Sequence, residues 1–400
     1  MTLHRQLLGA PMGKYDVKDY FESRRGELVE LVKRLVAAKT VNPPGDEWRA
    51  AEVVERYLEP LGIANTRHEK APGRTNVVAR IGSGSPKVIV VGHLDTVPAG
   101  DGWDTDPFTA VEKDGKLYGR GSDDDKGPTA SMLLAGRWLK EHERELGGEV
   151  VLVAVADEEC SSRFGMDYLL SHGIVAGNWA IIPDAGSMKT VYIAEKAALF
   201  STLTSHGRQA HGSKPEDGVN AIKNLMEVLR RIDKMQFDVT KHKLLTPPTY
   251  NLGMIQGGIA PNVVPAKCTA ELDMRFLPGD SAQAITKKIE SICRDVEKEI
   301  PGARFEFTPR TLEEPIELAE DHPLVRTIIE ETESVLGITP KPGGLSGSTV
   351  AKFCMQRGIP AVNFAPGDGG SAHMANEFTD VESLVSFAYM LTRIIQRLLK

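Results

Sequence analysis

The stretch KVIVVGHLD, residues 87–95, runs through Val88, Ile89, Val90 and Val91 without a polar break, then stops at Gly92 and presents His93 and Asp95. An apolar run with no polar alternation is the pattern of a strand buried on both faces, as in a parallel sheet covered by helices. EVVLVAVADEE (149–159) has the same texture and ends in Asp157, Glu158 and Glu159; WAIIPD (179–184) is a third such run and ends at Asp184. Between the first two lies GPTASMLLAGRWLKEH (127–142), a helical pattern with glycine and proline at its mouth. Strands alternating with helices predict a largely parallel sheet covered on both sides. In such sheets ligands bind beyond the carboxyl ends of the strands, where these acidic residues fall.

Working outward, apolar residues at helical spacing predict one helix over 20–38 and a second over about 48–61, with TVNPPGDE (40–47) breaking the pattern between them. NVVARIG (76–82) reads as a further strand. After Glu195 the texture changes. AALFSTLTSHG (197–207) is a strand with alternation, 217–235 a helix, 249–258 and 266–279 strands, 281–300 a helix and 303–309 a strand. That order, strand–helix–strand–strand–helix–strand, is the ferredoxin-like arrangement. The first texture then resumes with a helix near 321–336, another after GLSGSTVAKF (344–353), a short strand PAVNFAP (360–366) and a final helix over 381–399. The expected architecture is therefore an α/β domain built from residues 1–194 and 308–400, interrupted by an α+β domain over 195–307.

Composition agrees. A chain of 400 residues exceeds the size at which a single core keeps growing. Its 41% hydrophobic and 26% charged residues are ordinary for a globular protein. A net charge of −7 and the lack of any basic cluster argue against nucleic acid as a partner. No apolar run approaches the roughly 20 residues of a membrane span, and the first 16 residues lack the apolar core of a secretion signal. Cys160, Cys268, Cys293 and Cys354 show no paired spacing, which suits a reducing compartment. The expectation is a cytoplasmic protein without a membrane partner.

The residues with chemical potential are His93, Asp95, Asp157, Glu158, Glu159, Asp184, His373, and Asp124 within GRGSDDDKG (119–127). Singly, each has an ordinary reading as a hydrogen-bonded strand end, a solvated turn or a helix cap. Together they fall at one edge of one predicted sheet. That many carboxylates need compensating positive charge, which the nearby basic residues do not match in number and a pair of divalent metals would supply. Imidazole nitrogen and carboxylate oxygen suit zinc, with cobalt or manganese as substitutes.

In order along the chain, GHLDTVP (92–98), GRGSDDDKG (119–127), DEE (157–159), IIPD (181–184), GRQAHGSKPEDGVNAI (207–222), GGIAPNVVP (257–265), LDMRFLPG (272–279) and SAHMANE (371–377) resemble the dizinc aminoacylase and carboxypeptidase family. The resemblance covers about residues 20–400. It implies a zinc-hydrolase catalytic domain with an inserted dimerisation or lid domain, and a homodimer formed through the latter. It further implies that His93 and Asp184 hold one zinc, that Glu159 and His373 hold the other, and that Asp124 bridges both. Asp95 would orient His93 from behind, Glu158 would be the general base, and the Asp124–Asp125 peptide would be cis, leaving Asp123 as a solvated neighbour. His211 would reach into the partner subunit's site and stabilise an oxyanion. Asn262, Arg275 and the glycine-rich loop at Gly347 and Ser348 would hold a substrate carboxylate. Departures occur at Val350, where many relatives carry aspartate, and at Cys160, where many carry glycine.

These residues imply hydrolysis of an amide bond next to a free carboxylate, with an N-acyl amino acid as substrate. A dipeptidase or exo-carboxypeptidase is the alternative, and a catalytically silent carboxylate-binding relative a third reading. A two-metal phosphatase would need free cations at the site, for which only Arg120 and Lys126 offer themselves.

Overall fold

The computed structural model describes residues 14–400 apart from 185, 312, 368 and 369; the leader reading of the first 16 residues falls mostly outside the described ones. In chain order the elements used below are α1 (Lys14–Glu22), α2 (Arg25–Ala37), α3 (Trp48–Leu58), β1 (Ala64–Glu69), β2 (Thr75–Gly82), β3 (Lys87–His93), α4 (Lys126–Glu141), β4 (Glu149–Val155), β5 (Trp179–Ile182) and β6 (Thr190–Glu195). They continue with β7 (Ala197–His206), α5 (Ala221–Ile232), β8 (Thr249–Gly257), β9 (Lys267–Phe276), α6 (Ala282–Glu299), β10 (Arg304–Pro309), α7 (Pro323–Leu336), β11 (Ala361–Asn363) and α8 (Val381–Leu398).

Two compact units emerge. One contains the described residues up to Ile193 with Leu318–Pro342 and Thr349–Lys400; the other is Ala194–Glu317 with Gly343–Ser348. The second unit thus runs past the expected end at 307 and also takes in the 343–348 loop.

In the first unit the strands lie in the order β1-β2-β4-β3-β5-β11-β6. The central β4, β3, β5 and β11 are parallel, while β1, β2 and β6 join antiparallel at the flanks. The apolar runs explain the centre: Val88, Ile89, Val90 and Val91 are at most 1% exposed, and every residue of β4 is buried. Helix α4 is buried along most of its length and packs against α8, so small residues such as Ala130, Ser131 and Ala135 line its inner turns. The helix expected over 20–38 is divided at Ser23 and Arg24. There the Ser23 hydroxyl donates to the Tyr20 carbonyl at 2.8 Å and the Arg24 guanidinium lies 3.5 Å from the centre of the Tyr20 ring. These side chains satisfy the end of α1, so the chain turns before α2 begins. The helix anticipated after residue 353 starts earlier and is short, Ala351–Met355.

The second unit is a four-stranded antiparallel sheet in the order β8-β9-β7-β10, with α5 and α6 on one face. Leu199, Leu203, Ala270, Leu272 and Met274 alternate onto that face and pack with Leu225, Val228, Ile285 and Ile289 of the helices. Both helices begin with side-chain caps, Asn220 accepting from the Lys223 amide and Ser281 from the Ala284 amide. The strand and helix order is the ferredoxin-like one expected from the sequence.

Candidate metal centre

The site grows from adjacent parallel strand ends. β3 and β4 are in register with His93 opposite Val155, so the residues that follow Val155 emerge beside His93 and Asp95. β5 lies on the other side of β3 and ends at Ile182, two residues before Asp184. The mouth of α4 closes onto β3 through Asp125, whose Oδ2 accepts the His93 amide at 2.9 Å and the Thr129 hydroxyl at 3.1 Å. Gly92 permits that approach: a Cβ there would lie 2.1 Å from Thr129 Oγ1 and 2.9 Å from Asp125 Oδ2.

Six of the residues singled out in the sequence, His93, Asp124, Glu158, Glu159, Asp184 and His373, meet here. The Asp124 carboxylate lies between two imidazoles, Oδ1 at 2.8 Å from His93 Nε2 and Oδ2 at 3.1 Å from His373 Nε2. Glu159 Oε2 is 3.0 Å from the same His373 nitrogen. Ligand atoms of His93, Asp124 and Glu159 lie within 4.8 Å of one another, and so do those of His93, Glu158 and Asp184. The Asp124–Asp125 peptide is cis.

Asp95 stands behind His93 differently from the expectation. The nearest acceptor to His93 Nδ1 is the Asp95 backbone carbonyl, at 3.1 Å, while the carboxylate is 3.5 Å away. The reason is that the carboxylate is engaged elsewhere, accepting the amides of Glu158 and Glu159 at 3.1 Å each and the Asn42 amide group at 2.8 Å.

The Asp123–Asp124 loop has an anchor that the sequence reading missed. Glu377, fully buried, accepts the amides of Gly121, Asp123 and Asp124 at 3.0, 2.9 and 3.1 Å and pairs with Arg120 Nη1 at 2.6 Å. Arg120 also donates to the carbonyl of His373 at 3.3 Å, so one ion pair ties the loop to the segment carrying the distal histidine. Asp123 is half-buried and accepts the Ser371 hydroxyl at 3.2 Å, which replaces the expectation of a solvated neighbour. Arg120 is 1% exposed and Lys126 is fully buried, so neither offers a cation to a substrate phosphate.

Electrostatically the cluster asks for positive charge. Burial pushes Glu158 well above the ordinary carboxylate range, with Asp184 the next cause, and burial raises Glu159 despite the hydrogen bond to His373. Asp124 goes the other way: burial alone would raise it, but His373 and His93 outweigh that and hold it low. Hydrogen bonds to Asp124 and Glu159 lift His373 to about 10. Carboxylates crowded at this spacing retain protons unless a cation takes their place. Imidazole nitrogens and carboxylate oxygens converging on one space are a fitting donor set for divalent metals of the zinc type.

The remaining predicted residues belong to the second unit. His211 Nδ1 accepts the Ser213 amide at 3.2 Å and lies 2.7 Å from the Ser213 hydroxyl. An imidazole that accepts at Nδ1 carries its proton on Nε2. The Gly212 amide donates to the Asn262 carbonyl at 2.8 Å, which brings Asn262 alongside His211. Arg275, on β9, makes a two-pronged contact with Asp273 at 2.8 and 3.3 Å and lies over the Phe200 ring at 5.0 Å. Ser348 donates to Glu313 at 3.0 Å, next to Gly347, where a Cβ would lie 3.9 Å from Leu345 Cγ, an ordinary contact.

A family profile described as peptidase family M20/M25/M40 matches residues 89–397. Acetylornithine deacetylase from Proteus mirabilis is 31% identical over 385 residues, covering 92% of this chain and 96% of that protein. Among solved structures, an aminopeptidase from Bacillus cereus superposes with a TM-score of 0.78 at 23% identity, over 94% of this chain and 99% of the other. A metallo-carboxypeptidase of the M20 family from Sulfolobus solfataricus gives a TM-score of 0.75 at 20% identity, over 93% and 98%. Strand ends that gather two histidines and four carboxylates, and a profile that spans them all, place this chain in the peptidase family M20/M25/M40.

Proposed function

We propose that this member of the metallohydrolases removes the acyl group from an N-acyl amino acid by cleaving the amide bond beside a free carboxylate. The observation that carries the reading is the single Asp124 carboxylate between two imidazoles, an arrangement suited to bridging two metals, most simply zinc. His93 and Asp184 would hold one and Glu159 and His373 the other. Bound there, the metals would polarise the scissile carbonyl and bring a water toward neutral acidity. Glu158 would take a proton from the attacking water and hand it to the nitrogen of the leaving amine as the C–N bond breaks. His211 of one protomer would reach into its partner's site and donate from Nε2 to the developing oxyanion. Arg275, with Asn262 and the backbone at Gly347 and Ser348, holds the carboxylate, the planar guanidinium matching it bidentately. The acetylornithine deacetylase relative supports an acyl amino acid as substrate. A second reading, a dipeptidase or carboxypeptidase, accords with the peptidases among the solved structures of the same fold.

The test is a screen of N-acetyl, N-succinyl and N-formyl amino acids and dipeptides with zinc or cobalt added. Turnover of an acyl amino acid well above any dipeptide is expected. Prolonged treatment with a chelator should abolish it, and zinc or cobalt should restore it. Restoration by neither metal counts against the two-metal reading, and turnover of dipeptides alone counts for the second.

The second unit supports a homodimer. β8 is the edge strand of its sheet, and Leu252, Met254 and Ile255 on it are 39%, 68% and 51% exposed, with Met226 at 59% and Ile259 at 79%. An open edge with exposed apolar residues is a template for pairing with another copy. Met254→Asp is expected to halve the mass in solution; an unchanged mass would send the interface elsewhere. Among the described residues no helix is long and apolar enough to cross a membrane. A cytoplasmic setting accords with four cysteines that show no paired spacing.

A further inference from the structure

The segment TVNPPGDE (40–47) read in the sequence only as a break between helices. In the structure it runs beside the metal centre. The Asn42 amide donates to the Thr96 carbonyl at 2.8 Å and the Thr96 amide to the Thr40 carbonyl at 3.0 Å, so residues 40–42 lie alongside the strand end that carries His93 and Asp95.

Three consecutive amides of the acidic turn after β4 are each received by a carboxylate. Asp157 N–H donates to Glu47 Oε1 at 3.2 Å, Glu158 N–H to Asp95 Oδ1 at 3.1 Å and Glu159 N–H to Asp95 Oδ2 at 3.1 Å. The turn needs holding because Asp157 has φ +65°, a left-handed conformation that non-glycine residues adopt at a cost. Its own carboxylate braces it forward, Oδ2 accepting the Ser161 hydroxyl at 2.8 Å and the Phe164 amide at 3.2 Å.

The carboxylates that grip the turn are themselves gripped. Arg74 forks onto Glu47 at 2.7 and 2.8 Å and reaches Asp157 Oδ1 at 2.9 Å. Asn42 Nδ2 donates to Asp95 Oδ2 at 2.8 Å and to Asp157 Oδ1 at 3.3 Å. Glu47 and Asp95 are fully buried, Asp157 and Asn42 nearly so. Buried carboxylates keep a fixed orientation only when their charge and lone pairs are matched, and a guanidinium fork does both. Gly45 closes the arrangement: at φ +104° a Cβ there would lie 2.6 Å from Glu47 Oε1 and 2.7 Å from Arg74 Nε.

We propose that Glu47, Arg74 and Asn42 are positioning residues for the reaction, holding the Asp157–Glu159 turn so that Glu158 faces the water and Glu159 faces its metal. Their side chains hydrogen-bond to Asp95, to Asp157 and to one another, so they act through the turn. The inference rests on the roles given above to Glu158 and Glu159.

The test compares Arg74→Met, Arg74→Lys and Asn42→Ala with the parent enzyme in four measurements: kcat, KM, thermal midpoint, and affinity for cobalt read from its visible absorption. Loss of groups that orient metal ligands typically costs about 10–100-fold in metal affinity or activity. Arg74→Met should lower kcat and cobalt affinity by about that factor with KM within about threefold, Asn42→Ala by about tenfold, and Arg74→Lys should recover part of the loss. Variants that fold and lose thermal stability but keep parental cobalt affinity and kcat would overturn the proposal, since a merely structural role moves only the midpoint. Should Arg74→Met fail to fold, Asn42→Ala and Arg74→Lys decide by the same criteria. Glu158→Gln, run in parallel, separates the two failures. If it keeps full turnover, the site reading falls. If it is inactive while the Arg74 and Asn42 variants are parental, only the positioning role falls.

Discussion

Glu158→Gln is expected to lower kcat by about 10²–10⁴-fold, the usual contribution of a positioned general base, while metal content stays at the parental level. Two readings of Glu158 compete, and this variant divides them. Its carboxylate lies within 4.8 Å of ligand atoms of both His93 and Asp184, close enough to coordinate. Yet in the proposed site Asp184, His93, Asp124, Glu159 and His373 would already furnish nitrogen and oxygen donors for two metals. A further carboxylate beside that set serves better as the proton carrier. Burial and the charge of Asp184 raise Glu158 above the usual carboxylate range. Glutamine keeps the shape and the backbone hydrogen bond to Asp95 but has no site for the proton. Kinetics should therefore show a fall in kcat with little change in KM, and metal analysis should show no loss. Metal loss in step with activity would make Glu158 a ligand; normal turnover with metal bound would remove it from the chemistry.

The strands at the heart of the fold were readable because burial on both faces leaves no choice of residue type: Val88–Val91 and Val150–Val155 must be apolar whatever the function. The location of the site followed from a rule of parallel sheets, that polar residues at strand ends share an edge. Its division of labour was not readable that way. Nothing local distinguishes Asp123, Asp124 and Asp125, and their roles came from the family resemblance alone. The supports were illegible for a different reason, distance along the chain. Glu377 holds the Asp123 amide across 254 positions, Arg74 holds Asp157 across 83, and Asn42 reaches it across 115. A glutamate directly before the short strand Phe378–Asp380, or an arginine directly before β2, carries no sign of such partners. The break between α1 and α2 was hidden as well, because Tyr20, Ser23 and Arg24 fit helical spacing and only their mutual contacts end the helix.

The aspartate run offers the sharpest contrast between neighbours. Asp124→Ala removes the one carboxylate that meets both His93 and His373, at 2.8 and 3.1 Å. Without it the two proposed metals would lose their shared ligand, and Glu159 would be left as the carboxylate at His373. Metal binding should fall at both positions. Stabilisation by the metals is worth several kcal/mol to the transition state, and each 1.36 kcal/mol is tenfold in rate, so kcat should drop by about 10³-fold or more. Asp123→Ala tests whether this is a property of the position or of the loop. The Asp123 amide would still donate to Glu377 at 2.9 Å, and Ser371, deprived of the Asp123 carboxylate, keeps its hydrogen bond to the Phe378 carbonyl at 2.7 Å. The loop is therefore held from its backbone and from Arg120–Glu377 as well as from this side chain. Metal content should be parental, kcat within about threefold, and the thermal midpoint slightly lower, as loss of one partly buried hydrogen bond costs about 1 kcal/mol. Equal losses in the two variants would mean that the loop as a whole, and not the Asp124 carboxylate, bridges the metals' two halves of the site. A silent Asp124→Ala with both metals retained would leave His93 and His373 serving separate sites and end the reading of Asp124 as the bridge between them.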